Sequence, residues 1–300
     1  MRWFSNLWIL AFLCSAVWSE PAASSSPKEV VLRALATADV LVGGDRPWDI
    51  AVHNEDFYAK VLSNGSIGLG EAFVDGWWDA KAPDEFISRV LSARLDDRIS
   101  LNWPTVYAYL KAVLTNMQDK KGSLQVIERH YQLGNDLYTA MLDSTMTYSC
   151  GYWKDASDLR EAQEAKYDLI CRKLGLKSGM TVLDIGCGWG GFAKYAAERY
   201  GVRVTGITLS KNQVEYASKL CAGLPIDIRL QDYRDVTGQF DRVLEIGMFE
   251  HVGEKNYRTF MEAVHRLLKP DGLCMLHTIG GNKSTTVADP WITTYIFPNE

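Results

Sequence analysis

"VLDIGCGWGG", residues 182–191, is the stretch on which the fold turns. Val182, Leu183 and Ile185 form a short apolar run holding one carboxylate, Asp184. The run then breaks into glycines at 186, 188, 190 and 191. Such a run closed by glycine fits a strand buried on both faces of a parallel sheet, where the glycine turn lets a ligand approach the backbone. Downstream the same logic predicts strands at 202–207, 226–230, 241–246 and 273–278, besides 181–185 itself. Helices are predicted at 158–174, 191–200, 211–220 and 257–268. Strands alternating with helices imply an α/β fold: a Rossmann-like, doubly wound parallel sheet that binds ligands at the strands' carboxyl ends.

Upstream, apolar residues recur at helical spacing over residues 28–117. In "NEDFYAKVLSNG" Asn54 is expected to cap, Phe57, Val61 and Leu62 to share a face, and Gly65 to end the helix. In "DEFISRVLSARL" Asp84 is the expected cap, with Phe86, Ile87, Val90 and Leu91 inward. Between them "GSIGLGEAFVDGWWD" reads as an aromatic plug, Trp77 and Trp78, on a tight turn. The polar "LTNMQDKKGS" marks the boundary. The expected organisation is a leading segment and linker over 1–27, a smaller, mainly helical domain over 28–122 and a catalytic domain over 123–300. In the leading segment Arg2 precedes the uncharged residues 3–19 and then "EPAASSSP". This is signal- or targeting-segment architecture, with an uncleaved anchor as the alternative.

Three hundred residues with 47% hydrophobic content suffice for one large or two ordinary cores, and a net charge of -5 gives no footprint for nucleic acid. The six cysteines, Cys14, Cys150, Cys171, Cys187, Cys221 and Cys274, form no CxxC pair or Cys/His cluster, so neither a metal site nor a disulfide framework is expected. Cys171, Cys221 and Cys274 read as small buried hydrophobes.

A dinucleotide site needs an acid about 20 residues beyond its glycines to hold a ribose hydroxyl. Here "GITLSKNQ" ends the second strand with no acid before Glu215. Asp184, two residues before Gly186, instead suits a ligand carrying an ammonium and a sulfonium. This D-x-G-x-G-x-G arrangement resembles that of class I S-adenosylmethionine-dependent methyltransferases, and "LLKPDG" resembles the stretch those enzymes place before their fifth strand.

"GLGEAFVDGWWD", "ERHYQLGNDLYTAMLDSTMTYSCGYWKDA", "VLDIGCGWGGFAKY", "LQDYRD", "GMFEHVGEKNY" and "LHTIGGNKSTTVADPWITTYIFPN" together resemble the cyclopropane-fatty-acyl-phospholipid synthases, from about Asp45 to the last residue. "TLSKNQ" is similar to the related mycolic acid cyclopropane synthases. The resemblance implies transfer of a methylene from S-adenosylmethionine across a cis double bond of an unsaturated phospholipid acyl chain at a membrane surface. It also implies a homodimer through the N-terminal domain. It places cofactor contacts at Tyr148 and Ser149; along the turn at Asp184, Gly186, Cys187, Gly188, Trp189, Gly190 and Gly191; at Thr208, Leu209, Ser210 and Gln213; and at Asp232 and Tyr233. It further implies a bound bicarbonate, oriented by Glu250 and His277 and receiving hydrogen bonds from Cys150 and the Ile279 backbone.

The chemistry explains such a set. An alkene is a poor nucleophile, so it must be held in line with the methyl donor in a dry slot. The carbocation that results can be stabilised by aromatic faces, for which Tyr148, Tyr152, Trp153 and Tyr295 are candidates and equally ordinary core aromatics. Ring closure needs a base for one methyl proton, and a weak base serves because that proton is very acidic. Cys150 reads as a donor rather than a nucleophile, because "YSCGYW" holds no cation or histidine to activate a thiol. His277 has the alternative of a satisfied core histidine. His251 reads as structural, and His130 is given no role. Three alternatives stay open: a methyl-branched acyl product, an amine acceptor, and an inactive remnant that binds cofactor or lipid. The resemblance implies a helical continuation beyond "YIFPNE" carrying another tyrosine of the anion site, so a catalytic domain short at its C-terminus is expected. Membrane association on the cytoplasmic face is expected from the acceptor and the cofactor.

Overall fold

The structure, a computed structural model, describes residues 26–95, 135–282 and 289–296. The leading segment, the boundary expected at residues 122–123 and His130 lie outside the described residues. Those residues fall into two compact units, one on each side of the undescribed residues 96–134.

The N-terminal unit holds α1 (Pro27–Thr37), β1 (Ile50–Val52), α2 (Asp56–Val74), β2 (Trp78–Ala80) and α3 (Pro83–Ser92). Ser26 and Glu29 form a capping box on α1, with Pro27 pre-set in its first turn. β1 and β2 pair antiparallel, with Ile50 opposite Ala80. This small sheet adds to the helical domain expected from sequence, since three-residue strands are too short to show alternation.

Gly65 does not end the helix. It kinks α2 at φ 57° and ψ -129°, and the helix resumes through the glycine-rich stretch. The two halves close so tightly that a Cβ on Gly68 would meet the Lys60 carbonyl oxygen at 2.3 Å. The aromatic plug is Trp78, which is buried against Phe86 at 4.9 Å between ring centroids, while Trp77 is partly buried beneath the Lys60 ammonium. In α3, Ala82 rather than Asp84 occupies the cap position, and Asp84 lies in the first turn. Phe86 and Val90 face the core, but Ile87 and Leu91 are exposed, because the unit covers only one narrow stripe of this helix.

The second unit is a five-stranded parallel sheet with strand order β5-β4-β3-β6-β7. The strands are β3 (Thr181–Ile185), β4 (Arg203–Thr208), β5 (Ile226–Leu230), β6 (Phe240–Ile246) and β7 (Leu268–His277). Around them run α4 (Asn135–Met141), α5 (Leu159–Lys173), α6 (Gly191–Tyr200), α7 (Lys211–Leu220) and α8 (Tyr257–Leu267). Successive residues of β3 serve opposite faces: Val182 packs with α5 and α6, Leu183 and Ile185 with α8. The order reverses between β3 and β6, which places a crevice at their carboxyl ends. β7 starts five residues earlier than expected, because Leu268 already pairs with Phe240 and the "KPDG" residues bulge before Leu273 pairs with Arg242. Cys171, Cys187 and Cys221 are buried thiols. Cys274, expected inside, is exposed on the edge strand β7.

Candidate active site

The crevice is a cavity lined by all the expected cofactor residues except Gly190 and Ser210. Those two sit just outside it as the N-caps of α6 and α7. Asp184, the penultimate residue of β3, is 2% exposed, and its Oδ2 has no partner among the described residues. Burial, and then the charge of Glu245, push its carboxyl up to about 7. A buried carboxylate oriented into a cavity without a donor is suited to a cationic ligand group.

The backbone turns away from Asp184 through Gly186 at φ 79°, where a Cβ would strike the Met248 side chain at 2.8 Å. A Cβ on Gly191 would come within 2.4 Å of the Thr145 carbonyl oxygen and 2.7 Å of the Tyr167 hydroxyl. The strap before α5 therefore lies directly on the glycine turn. Asp143 holds this strap by accepting from the Thr145 and Thr147 amides at 2.9 and 3.2 Å, and Thr147 is joined to the Tyr167 hydroxyl.

At the end of β4 the Thr208 hydroxyl donates to Gln213 Oε1 at 2.6 Å, orienting the amide that stands where many nucleoside sites use an acid. Asp232 and Tyr233 line the wall, but the Asp232 carboxylate is engaged by the Arg234 guanidinium at 2.6 and 2.8 Å. Of the four aromatic candidates only Tyr148 lines this cavity. Tyr152 and Trp153 are exposed, and Tyr295 packs on Trp291.

The four other candidates come together in two pairs. Cys150 Sγ lies 3.7 Å from His277 Nε2, and Glu250 Oε1 accepts the Ile279 N–H at 2.8 Å. The Ile279 donor is thus used by Glu250. Glu250 Oε2 and His277 Nδ1 are buried without partners among the described residues. Burial first, then the Lys166 charge, lowers the His277 pKa, favouring the neutral imidazole; the Glu250 charge acts the other way.

Sequence reasoning missed what holds this set. Glu245, 1% exposed at the end of β6, accepts from the Met248, Phe249 and His277 amides at 2.9, 3.0 and 2.8 Å. It thereby ties the short 3-10 turn Phe249–His251, which carries Glu250, to the strand end that carries His277. From α5, Gln163 Nε2 donates to the Ser149 carbonyl at 2.8 Å and Lys166 Nζ to its hydroxyl at 2.7 Å. The absence of a cation near Cys150 in sequence is therefore overturned in space. The available signal was polar residues at 163 and 166, within the apolar stripe that continues through Tyr167 and Ile170.

The family model "Mycolic acid cyclopropane synthetase" matches residues 118–300. The cyclopropane-fatty-acyl-phospholipid synthase of Escherichia coli (strain K12) is 51% identical over 265 residues, covering 88% of this chain and 69% of that protein. Among solved structures, mycolic acid cyclopropane synthase CmaA1 complexed with SAH and CTAB is 39% identical at a TM-score of 0.55, over 59% of this chain and 68% of that one. Coclaurine N-methyltransferase bound to N-methylheliamine and SAH is 27% identical at a TM-score of 0.55, over 71% of this chain and 67% of that one.

Proposed function

The chain belongs to the mycolic acid cyclopropane synthetase family, with the class I methyltransferase fold, and from that premise we propose that it is a cyclopropane-fatty-acyl-phospholipid synthase. On this reading it adds a methylene from S-adenosylmethionine to a cis double bond of an unsaturated phospholipid acyl chain. The observation that carries the proposal is the unpartnered Asp184 oxygen in a cavity whose Ser149 wall continues into Cys150, 3.7 Å from His277.

When bound, S-adenosylmethionine supplies an electrophilic methyl and bicarbonate a weak base. Asp184 would hold the amino acid end of the donor, Gln213 the ribose, and Asp232 and Tyr233 the adenine side. Tyr148, half-exposed at the cavity wall, would offer its ring to the positive charge that develops on the acyl chain. Neutral His277 and the Cys150 thiol would hold the small anion on one side, and Glu250, sharing a proton with it, on the other. The reaction on this reading requires that water be kept from the cation until the methyl proton is removed.

On this reading the acceptor would bring the chain to a membrane surface, with the cytoplasmic face as the one that holds the cofactor; among the described residues no helix is long and apolar enough to cross a membrane. The unit of α1 to α3 is proposed to pair two copies. A second reading, an amine acceptor, is favoured by the similarity to coclaurine N-methyltransferase. Against it, an amine loses its proton without a dedicated base, so the Cys150–His277 pair would have no use. Incubation of the purified chain with S-adenosylmethionine and dioleoyl phospholipid vesicles separates the readings. Cyclopropane acyl chains support the proposal, whereas methyl-branched chains, or turnover only with amines, contradict it.

A further inference from the structure

Lys166 is 3% exposed, and among the described residues its ammonium donates to the Ser149 hydroxyl at 2.7 Å. Among the described residues no carboxylate lies within ion-pair distance of it. The ring of Tyr167 lies beneath it, with Nζ 5.4 Å from the ring centroid. Asp143, whose charge reaches it, already accepts from Thr145 and Thr147. Burial draws its pKa down to about 8, leaving it mostly charged at neutral pH. A buried ammonium without a carboxylate is costly unless something anionic completes its surroundings.

What lies next to it is the candidate anion site. Ser149 precedes Cys150, and the Lys166 charge acts on both Cys150 and His277. A Cβ built on Gly247 would stand 3.6 Å from Ser149, and the Gly247 N–H donates to the His277 carbonyl at 2.8 Å. Lys166, Ser149, Cys150 and His277 therefore form one chain of contacts: ammonium to hydroxyl at 2.7 Å, a peptide bond, then thiol to imidazole at 3.7 Å. Glu250 brings a negative charge to the same place, so a second anion there needs a compensating cation.

We propose that Lys166 is the counter-ion of the small-anion site formed by Cys150, Glu250 and His277, setting the affinity for bicarbonate while the Ser149 hydroxyl fixes its ammonium. The inference rests on the bicarbonate reading above and adds to it the residue that makes a second negative charge tolerable. Lys166 acts through the field at the site and through Ser149, and is a positioning residue.

The test uses the full chain with Lys166→Met, a swap of similar volume without the charge, and Lys166→Arg, which keeps it. In buffer stripped of carbon dioxide, bicarbonate is titrated while melting temperature and ring-forming rate are followed, and the affinity for S-adenosylhomocysteine is measured separately. Expected is a bicarbonate midpoint raised roughly tenfold or more in K166M, by both readouts, and less in K166R, with nucleoside affinity kept within about threefold. An unchanged midpoint in K166M overturns the inference. So does an equal loss of nucleoside affinity, which would make Lys166 merely a prop for Ser149. If the unsubstituted chain itself shows no response to bicarbonate, the anion reading falls and this inference with it. Should K166M fail to melt cooperatively, Lys166→Gln carries the same comparison.

Discussion

Glu250 accepts the backbone N–H of Ile279 at 2.8 Å, which joins the turn after β6 to the segment after β7 at the point where the proposed proton transfer takes place. Its other oxygen, buried and without a partner among the described residues, is left for a ligand that brings a proton. Glu250→Gln keeps the shape and an acceptor for Ile279 but loses the charge. Ring formation should fall by about 10²–10⁴-fold, with S-adenosylhomocysteine affinity within roughly threefold of the unsubstituted chain. Product quantitation and calorimetry check this.

Glu245 accepts from three backbone donors, the Met248, Phe249 and His277 amides. Glu245→Ala strands those amides in a buried place and should destabilise the chain by about 2–3 kcal/mol, read by urea unfolding. Glu245→Gln retains part of the acceptor and should lose less. Both should slow ring formation more than they weaken nucleoside binding, because the amides they release position Glu250 and His277.

Asp184 gives a pH dependence whose sign follows from its raised pKa. From its ordinary value of 3.8 to about 7 the folded chain binds more protons than the unfolded one, so stability falls as pH rises through that window. Glu245, also raised to about 7 by burial, adds to the same slope. Asp184→Asn should flatten part of it and stabilise the ligand-free chain at pH 7.5 by up to about 4 kcal/mol. The same change should abolish tight S-adenosylmethionine binding, which in the unsubstituted chain should strengthen as pH rises toward 7. Melting curves and calorimetry across pH 5 to 8, roughly the span of the titration, check both signs.

Gly191→Ala sets a methyl against the Thr145 carbonyl and the Tyr167 hydroxyl. The backbone contact cannot yield without moving the strap, so a loss of about 1–3 kcal/mol and weaker nucleoside binding are expected together. Unfolding and nucleoside titrations report the two effects.

The sheet was legible because β3, β4 and β6 are largely buried apolar runs ended by turn residues, and the glycine turn with Asp184 carried the expectation of a ligand with cationic groups. The N-terminal unit was less legible. A glycine that kinks a helix and one that ends it look alike in sequence, and Gly65 does the first. The site was half legible. Cys150, Glu250, His277 and Ile279 were reached by resemblance, and no local spacing joins residues 127 apart such as Cys150 and His277. Lys166 and Glu245 were hidden because a lone polar residue in an apolar stripe carries no sign of its partner until the strap and the two strand ends meet.

The most direct measurement uses S-adenosylmethionine with a fully deuterated methyl group and dioleoyl phospholipid vesicles, followed by mass spectrometry of the released acyl chains. Methyl transfer with loss of one deuteron from the added methyl to the anion site leaves two of the three deuterium atoms in a saturated ring. A chain carrying all three, or no labelled chain from a folded protein that binds the donor, contradicts ring closure at Cys150, Glu250 and His277.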